Sequence, residues 1–179
     1  MEISNLQYML GQALGVCLTG VTVYGLTRKC DKQFRKMGRW TALVDFLHWA
    51  LLGAQTGALT ALLITARVWA AERLQGHSAR TKGLALAGFS LLFTLAMVVT
   101  WNGPVSVLPW LAVLNASYAY FFTTGVRLRA HFVLTNASWL GYALAIGSIG
   151  GLATSIITTT VGALTVWNAW RQRALAVVD

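Results

Sequence analysis

Asp45, His48 and Trp49 stand three and four residues apart inside an otherwise apolar run, so a helix there would carry them on one side. A carboxylate beside an imidazole can hold or pass a proton, and an adjoining indole can cover the apolar side of a polar solute. An ionisable group at membrane depth costs several kcal/mol unless it is paired or hydrated, and by default it marks a functional site. The competing partner is Arg67. If the chain folds back at residues 53–57, Arg67 returns to a depth near Asp45, and the two would form a buried clamp or a gate. Both readings stay open on the residues alone.

A related stretch lies 94 residues later. At that offset Gly53 falls on Gly147, Gly57 on Gly151, Thr60 on Thr154, Thr65 on Thr159, His48 on Tyr142 and Asp45 on Trp139. Several matches in register indicate a duplicated unit. Asn136 precedes Trp139 by one turn, so Asn136, Trp139 and Tyr142 join Asp45, His48 and Trp49 as candidate substrate-binding residues. An aromatic wall opposite a polar one suits a small polar molecule with a flat or sugar-like face. Thr65 and residues 158–160 read as hydroxyls bonded back to their own helices. Tyr118 and Tyr120 are further cavity candidates, whereas His77 and His131 read as solvated residues at the cytoplasmic boundary.

No enzyme is expected. The chain lacks a paired-carboxylate site, a histidine cluster at metal spacing, a Gly-x-Ser-x-Gly turn and a phosphate loop, so neither metal nor cofactor is implied. Cys17 falls in an apolar helix and Cys30 in a basic loop, which suggests no disulfide. Asn115 and Asn136 each begin an Asn-Ala-Ser triplet, but inside apolar runs that no glycosyltransferase reaches.

The elements that must position these residues are membrane helices. Apolar residues make up 56% of the chain and charged residues 11%, about half the roughly 25% usual in a globular domain. The net charge of +9 is concentrated in residues 28–39, 67–82, 127–129 and 171–173. Membrane-length apolar segments separate these clusters, a pattern of topology rather than of nucleic-acid binding. Residues 40–71 are too long for one crossing, about 48 Å as a helix at 1.5 Å per residue, and basic residues flank both ends. They are therefore split into 40–52 and 57–71, each short for a span. Residues 130–170 repeat the problem, with a corner at 147–151. With crossings at 6–27, 83–101 and 105–125, the total is seven.

The expected fold is thus all-α and integral to the membrane: two parallel triple-helix bundles joined by a linker helix. The units are 1–71, a linker at 72–101, and 102–179. Positive charge puts the N-terminus in the periplasm and the tail, residues 171–179, in the cytoplasm. No cleaved signal peptide is expected. Trp40, Trp69, Trp101, Trp110, Trp167 and Trp170 would form interfacial belts.

Phe34, His48 with Leu51-Leu52-Gly53, Arg67, Leu108-Pro109, Ala119-x-Phe121, Gly125, Arg129, Trp139 and Gly147-Ser-Ile-Gly-Gly151 together resemble the bacterial YgjV-type inner membrane proteins. The order of crossings is similar to that of the SWEET/PQ-loop superfamily, although the Pro-Gln pair of PQ-loop proteins is absent. That second resemblance implies paired Trp and Asn residues at a substrate, here Trp49, Trp139 and Asn136. The function expected is a bacterial inner-membrane facilitator that moves a small polar metabolite by alternating access between the bundles. The alternative is a non-transporting scaffold, sensor or accessory subunit, with Trp49 and Trp139 packed in a dry core. The lipid bilayer is the expected partner, and self-association is left open.

Overall fold

Gly53 and Gly147 hold φ of 67° and 69°, a left-handed conformation that glycine adopts without strain. Around Gly53, Ala54 N bonds Trp49 O at 3.0 Å and Gly53 N bonds Ala50 O at 3.1 Å. Around Gly147, Ser148 N bonds Ala143 O at 2.9 Å and Gly147 N bonds Leu144 O at 3.3 Å. These are two Schellman endings, each stopping a helix and turning the chain at the same point of the repeat.

The computed structural model describes residues 5–26 and 31–175. Seven α-helices are present among them: α1 (Asn5–Leu26), α2 (Asp31–Leu51), α3 (Gln55–Arg73), α4 (Ala79–Val99), α5 (Val107–Phe122), α6 (Gly125–Ala145) and α7 (Ile149–Leu175). A 3-10 turn, Pro104–Ser106, leads into α5 after the Asn102-Gly103 corner. Both ends of α2 and α6 fall 94 residues apart, matching the repeat offset.

Several boundaries differ from the sequence expectation. α2 starts at Asp31 rather than residue 40, so most of the basic segment is helical, and α6 starts at Gly125 rather than 130. Lys and Arg are good helix formers, and the Asp31 carboxylate anchors both starts through Arg129 and the Gly125 amide. At 21 and 19 residues, α2 and α3 are not short. The expected cytoplasmic tail begins as the last turns of α7. Arg28, Lys29, Cys30 and residues 1–4 and 176–179 lie outside the described residues.

Among the described residues, four segments are long and apolar enough to cross a membrane: Asn5–Gly25, Ala79–Val99, Pro104–Phe122 and Ile149–Gln172. α2, α3 and α6 have comparable lengths but carry charged residues, including Arg35, Asp45, Arg67 and Arg129.

Six helices close into a ring in the order α1, α2, α3, α5, α6, α7 and back to α1. α1 does not pack extensively on α3, nor α5 on α7, so the helix trios are arcs of one ring rather than self-contained bundles. The contacts repeat with the sequence: α1–α2 matches α5–α6, α2–α3 matches α6–α7, and α3–α5 matches α7–α1. α4 sits outside against α3 and α5, burying Phe93 and Ala96. Helix association in lipid gains nothing from apolar burial alone, so close approach and interhelical bonds must hold the ring. Ala112, Ala116 and Ala119 supply a small buried face on α5. At the α1–α7 seam a Cβ built on Gly150 would meet Gly15 Cα at 2.8 Å, and Thr19 Oγ1 and Thr154 Oγ1 lie 2.6 Å apart.

Candidate functional site

A cavity of about 140 Å³ lies inside the ring, and all six ring helices line it. α2 contributes Asp45 and Trp49, α3 Arg67, α5 Tyr120, α6 Asn136 and Trp139, and α7 Thr154, Ser155 and Thr158. At the end nearest the glycine corners, Trp49 and Trp139 stack with centroids 5.6 Å apart and 15° between their planes. Tyr142 packs edge-on against both. At the other end Phe34 meets Phe132 edge-to-face at 4.9 Å. One turn beyond, Asp31 Oδ1 pairs with Arg129 Nη1 at 2.9 Å.

Asp45 and Arg67 share the cavity but do not pair; among the described residues the ion pairs are Arg39–Glu72 and Asp31–Arg129. The expected clamp fails on register. Asp45 lies eight residues before Gly53 and Arg67 fourteen after it. The hairpin therefore sets their backbones about 9 Å apart in depth, at 1.5 Å per residue. Arg67 reaches across to α5 instead, where Nη1 donates to Val113 O at 3.3 Å and Ser117 Oγ at 3.2 Å, and the guanidinium lies 4.7 Å from the Tyr120 ring centroid. It is only 2% exposed, and its Nε has no hydrogen-bond partner.

The polar groups of the cavity fall into two sets. Thr22, Thr41 and Thr154 bond backbone carbonyls one turn back in their own helices, and Thr158 bonds Ser155 O. Asn136 and Ser155 make no side-chain hydrogen bond, and the Asp45 carboxylate has the buried Trp49 indole N–H as its neighbour. Asp45, Asn136, Ser155 and Arg67 thus bring acidic, amide, hydroxyl and basic groups to the cavity wall.

His48 belongs elsewhere. It is 0% exposed, and its Nδ1 meets Gly11 O at 2.7 Å while Nε2 meets Ser148 Oγ at 3.0 Å. A carbonyl only accepts, so Nδ1 carries the proton and Nε2 accepts from the serine hydroxyl. Ser148 Oγ in turn accepts from Gly151 N at 3.0 Å, which caps α7. His48 is thus a fully bonded tie between α1, α2 and the second corner, and it does not line the cavity. Tyr142 likewise backs the tryptophan stack without lining the cavity.

Of the two tyrosine candidates, Tyr120 is buried and lines the cavity, whereas Tyr118 is 48% exposed and stacks on Phe122. His131 is not a free solvated group: Nδ1 lies 2.7 Å from Asn115 Oδ1, in a link that holds α5 to α6. Trp110 is drawn inward by a 3.0 Å bond from Nε1 to Thr94 Oγ1, while Trp40, Trp69, Trp101, Trp167 and Trp170 are exposed as a belt requires. Arg35, read from the sequence only as part of the basic cluster 28–39 that reports topology, is 3% exposed and donates to the carbonyls of Tyr120 and Thr123, capping the end of α5. Its signal was available: Arg35 falls on Arg129 at the repeat offset.

A helical ring with lipid-facing leucines and tryptophans outside and charged groups within defines a multi-pass membrane protein. The chain belongs to the Imp-YgjV family of bacterial inner membrane proteins, whose model matches residues 9–173. It is 23% identical over 169 residues to inner membrane protein YgjV of Escherichia coli strain K12, covering 93% of this chain and 87% of that protein. No solved structure matches significantly.

Proposed function

We propose that the protein is a facilitator for a small polar solute, passing it through the central cavity by alternating access. The observation that carries this reading is one cavity lined by every ring helix and holding Asp45, Arg67, Asn136 and Ser155 on its wall with no ion pair between the two charged side chains. Arg67 Nε is buried there without a hydrogen-bond partner, and such a group costs roughly 1–3 kcal/mol unless a bound solute or water satisfies it. The cavity also has a closing element at each end, the Trp49–Trp139 stack and the Phe34–Phe132 pair backed by Asp31–Arg129. In this account seven helices cross, the two repeats rock about the ring's pseudo-twofold axis, and the ends open in turn. The basic helix ends then lie in the cytoplasm and the glycine corners toward the periplasm.

Flux into proteoliposomes tests the proposal. Asp45→Asn keeps the shape and removes the charge, and we expect solute flux to fall at least ~10-fold with folding unchanged, equivalent to about 1.4 kcal/mol. Unchanged flux in a folded Asp45→Asn protein would remove Asp45 from the path.

A further inference from the structure

Arg67 and Asp45 pose one question together: why one cavity keeps a cation and an anion that do not pair. Either charge alone, buried without a counter-ion in a membrane, is expensive, and pairing them directly would be the ordinary remedy. The fold instead holds them apart, Arg67 on α3 and Asp45 on α2, with about 9 Å of helix rise between their positions. An α-amino acid with a charge-assisted hydrogen bond at each end spans on the order of 8 Å.

We infer that the cavity binds a small zwitterion, carboxylate toward Arg67 and ammonium toward Asp45. The inference deepens the transport reading above and rests on it. Four observations converge. Arg67 is 2% exposed with Nε unpartnered, and although Val113, Ser117 and the Tyr120 ring contact its guanidinium, no carboxylate among the described residues pairs with it. Asp45 has no ion-pair partner among the described residues. Asn136 and Ser155 line the same cavity with unused hydrogen-bonding capacity. Trp49 and Trp139 line the Asp45 end, where an indole face not used in their mutual stack would attract an ammonium. Size limits the solute: about 140 Å³ compares with the ~150 Å³ cavity that admits benzene, so an amino acid with a short side chain fits and a disaccharide does not.

The test uses the full chain purified in mild detergent and reads its thermal unfolding midpoint with four small probes of similar size. These are alanine (zwitterion), lactate (anion), alaninamide (cation) and propane-1,2-diol (neutral), each at about 20 mM; a ligand of millimolar affinity then stabilises measurably. We expect alanine to raise the midpoint by about 2–4 °C and the others by less than half as much. In Asp45→Asn alanine should lose its advantage over lactate, and in Arg67→Gln its advantage over alaninamide. If either variant does not fold, the wild-type panel decides. Equal shifts with alanine and lactate would indicate a plain anion site and overturn the inference, as would no shift with alanine. Flux of the diol in proteoliposomes without alanine binding would sink the zwitterion and leave transport standing. Alanine binding without any flux would support the site and sink transport.

Discussion

His48 and Asp45 stand one turn apart, yet they do different work. Asp45 faces the cavity with no ion-pair partner among the described residues, whereas His48 spends both ring nitrogens on Gly11 and Ser148. His48→Ala leaves the Gly11 carbonyl and the Ser148 hydroxyl without that partner. We expect it to cost about 2 kcal/mol in a chemical-unfolding titration while alanine binding persists in the folded fraction. A variant as stable as the parent would show that the tie contributes nothing. The sequence could place both residues on one helix, since spacing alone sets that. It could not choose between them, because the choice depends on Gly11 of α1 and Ser148 of the second corner, residues brought in from 37 and 100 positions away. The sequence could not decide between the Asp45–Arg67 clamp and the cavity for a related reason: the hairpin register offsets Arg67 from Asp45, and its partners Ser117 and Val113 lie on α5, far away in sequence.

Helices and corners were far more legible than contacts. Glycine at a fixed repeat position, between apolar runs too long for one crossing, was sufficient to find both corners. The starts of α2 and α6 were missed because a dense run of Lys and Arg reads as loop, and the carboxylate that draws it into helix, Asp31, sits far from Gly125 and Arg129 in sequence. Gly11 and Gly15 of α1 admit close neighbours: Gly11 packs on Leu52 and Gly15 on Gly150. A Cβ on Gly150 would collide with the backbone of Gln12 and Gly15 at 2.8 Å, while a Cβ on Gly20 meets nothing within 4 Å. Gly150→Leu should therefore cost more than ~2 kcal/mol by prising α1 from α7, and Gly20→Ala should be neutral or stabilising by under ~1 kcal/mol. Thermal unfolding of the pair in the same detergent checks this. Equal midpoints would mean the α1–α7 seam does not hold the ring.

At the scale of the molecule, the repeat was legible and its packing was not. Periodicity reports that two units are alike, but it carries no distances. Two separate bundles and one six-helix ring are equally consistent with it. The ring matters because it converts two weakly polar arcs into one cavity with an aromatic pair at each end. The most direct measurement of that claim is the reactivity of a single cysteine at Asn136, in a chain carrying Cys17→Ser and Cys30→Ser, toward a small membrane-impermeant thiol reagent. It is applied from each side of oriented membranes, with a cysteine at lipid-facing Val99 as control. The account predicts labelling of Asn136→Cys from both sides, slowed by alanine. No labelling from either side in a folded protein, with or without solute, would contradict it.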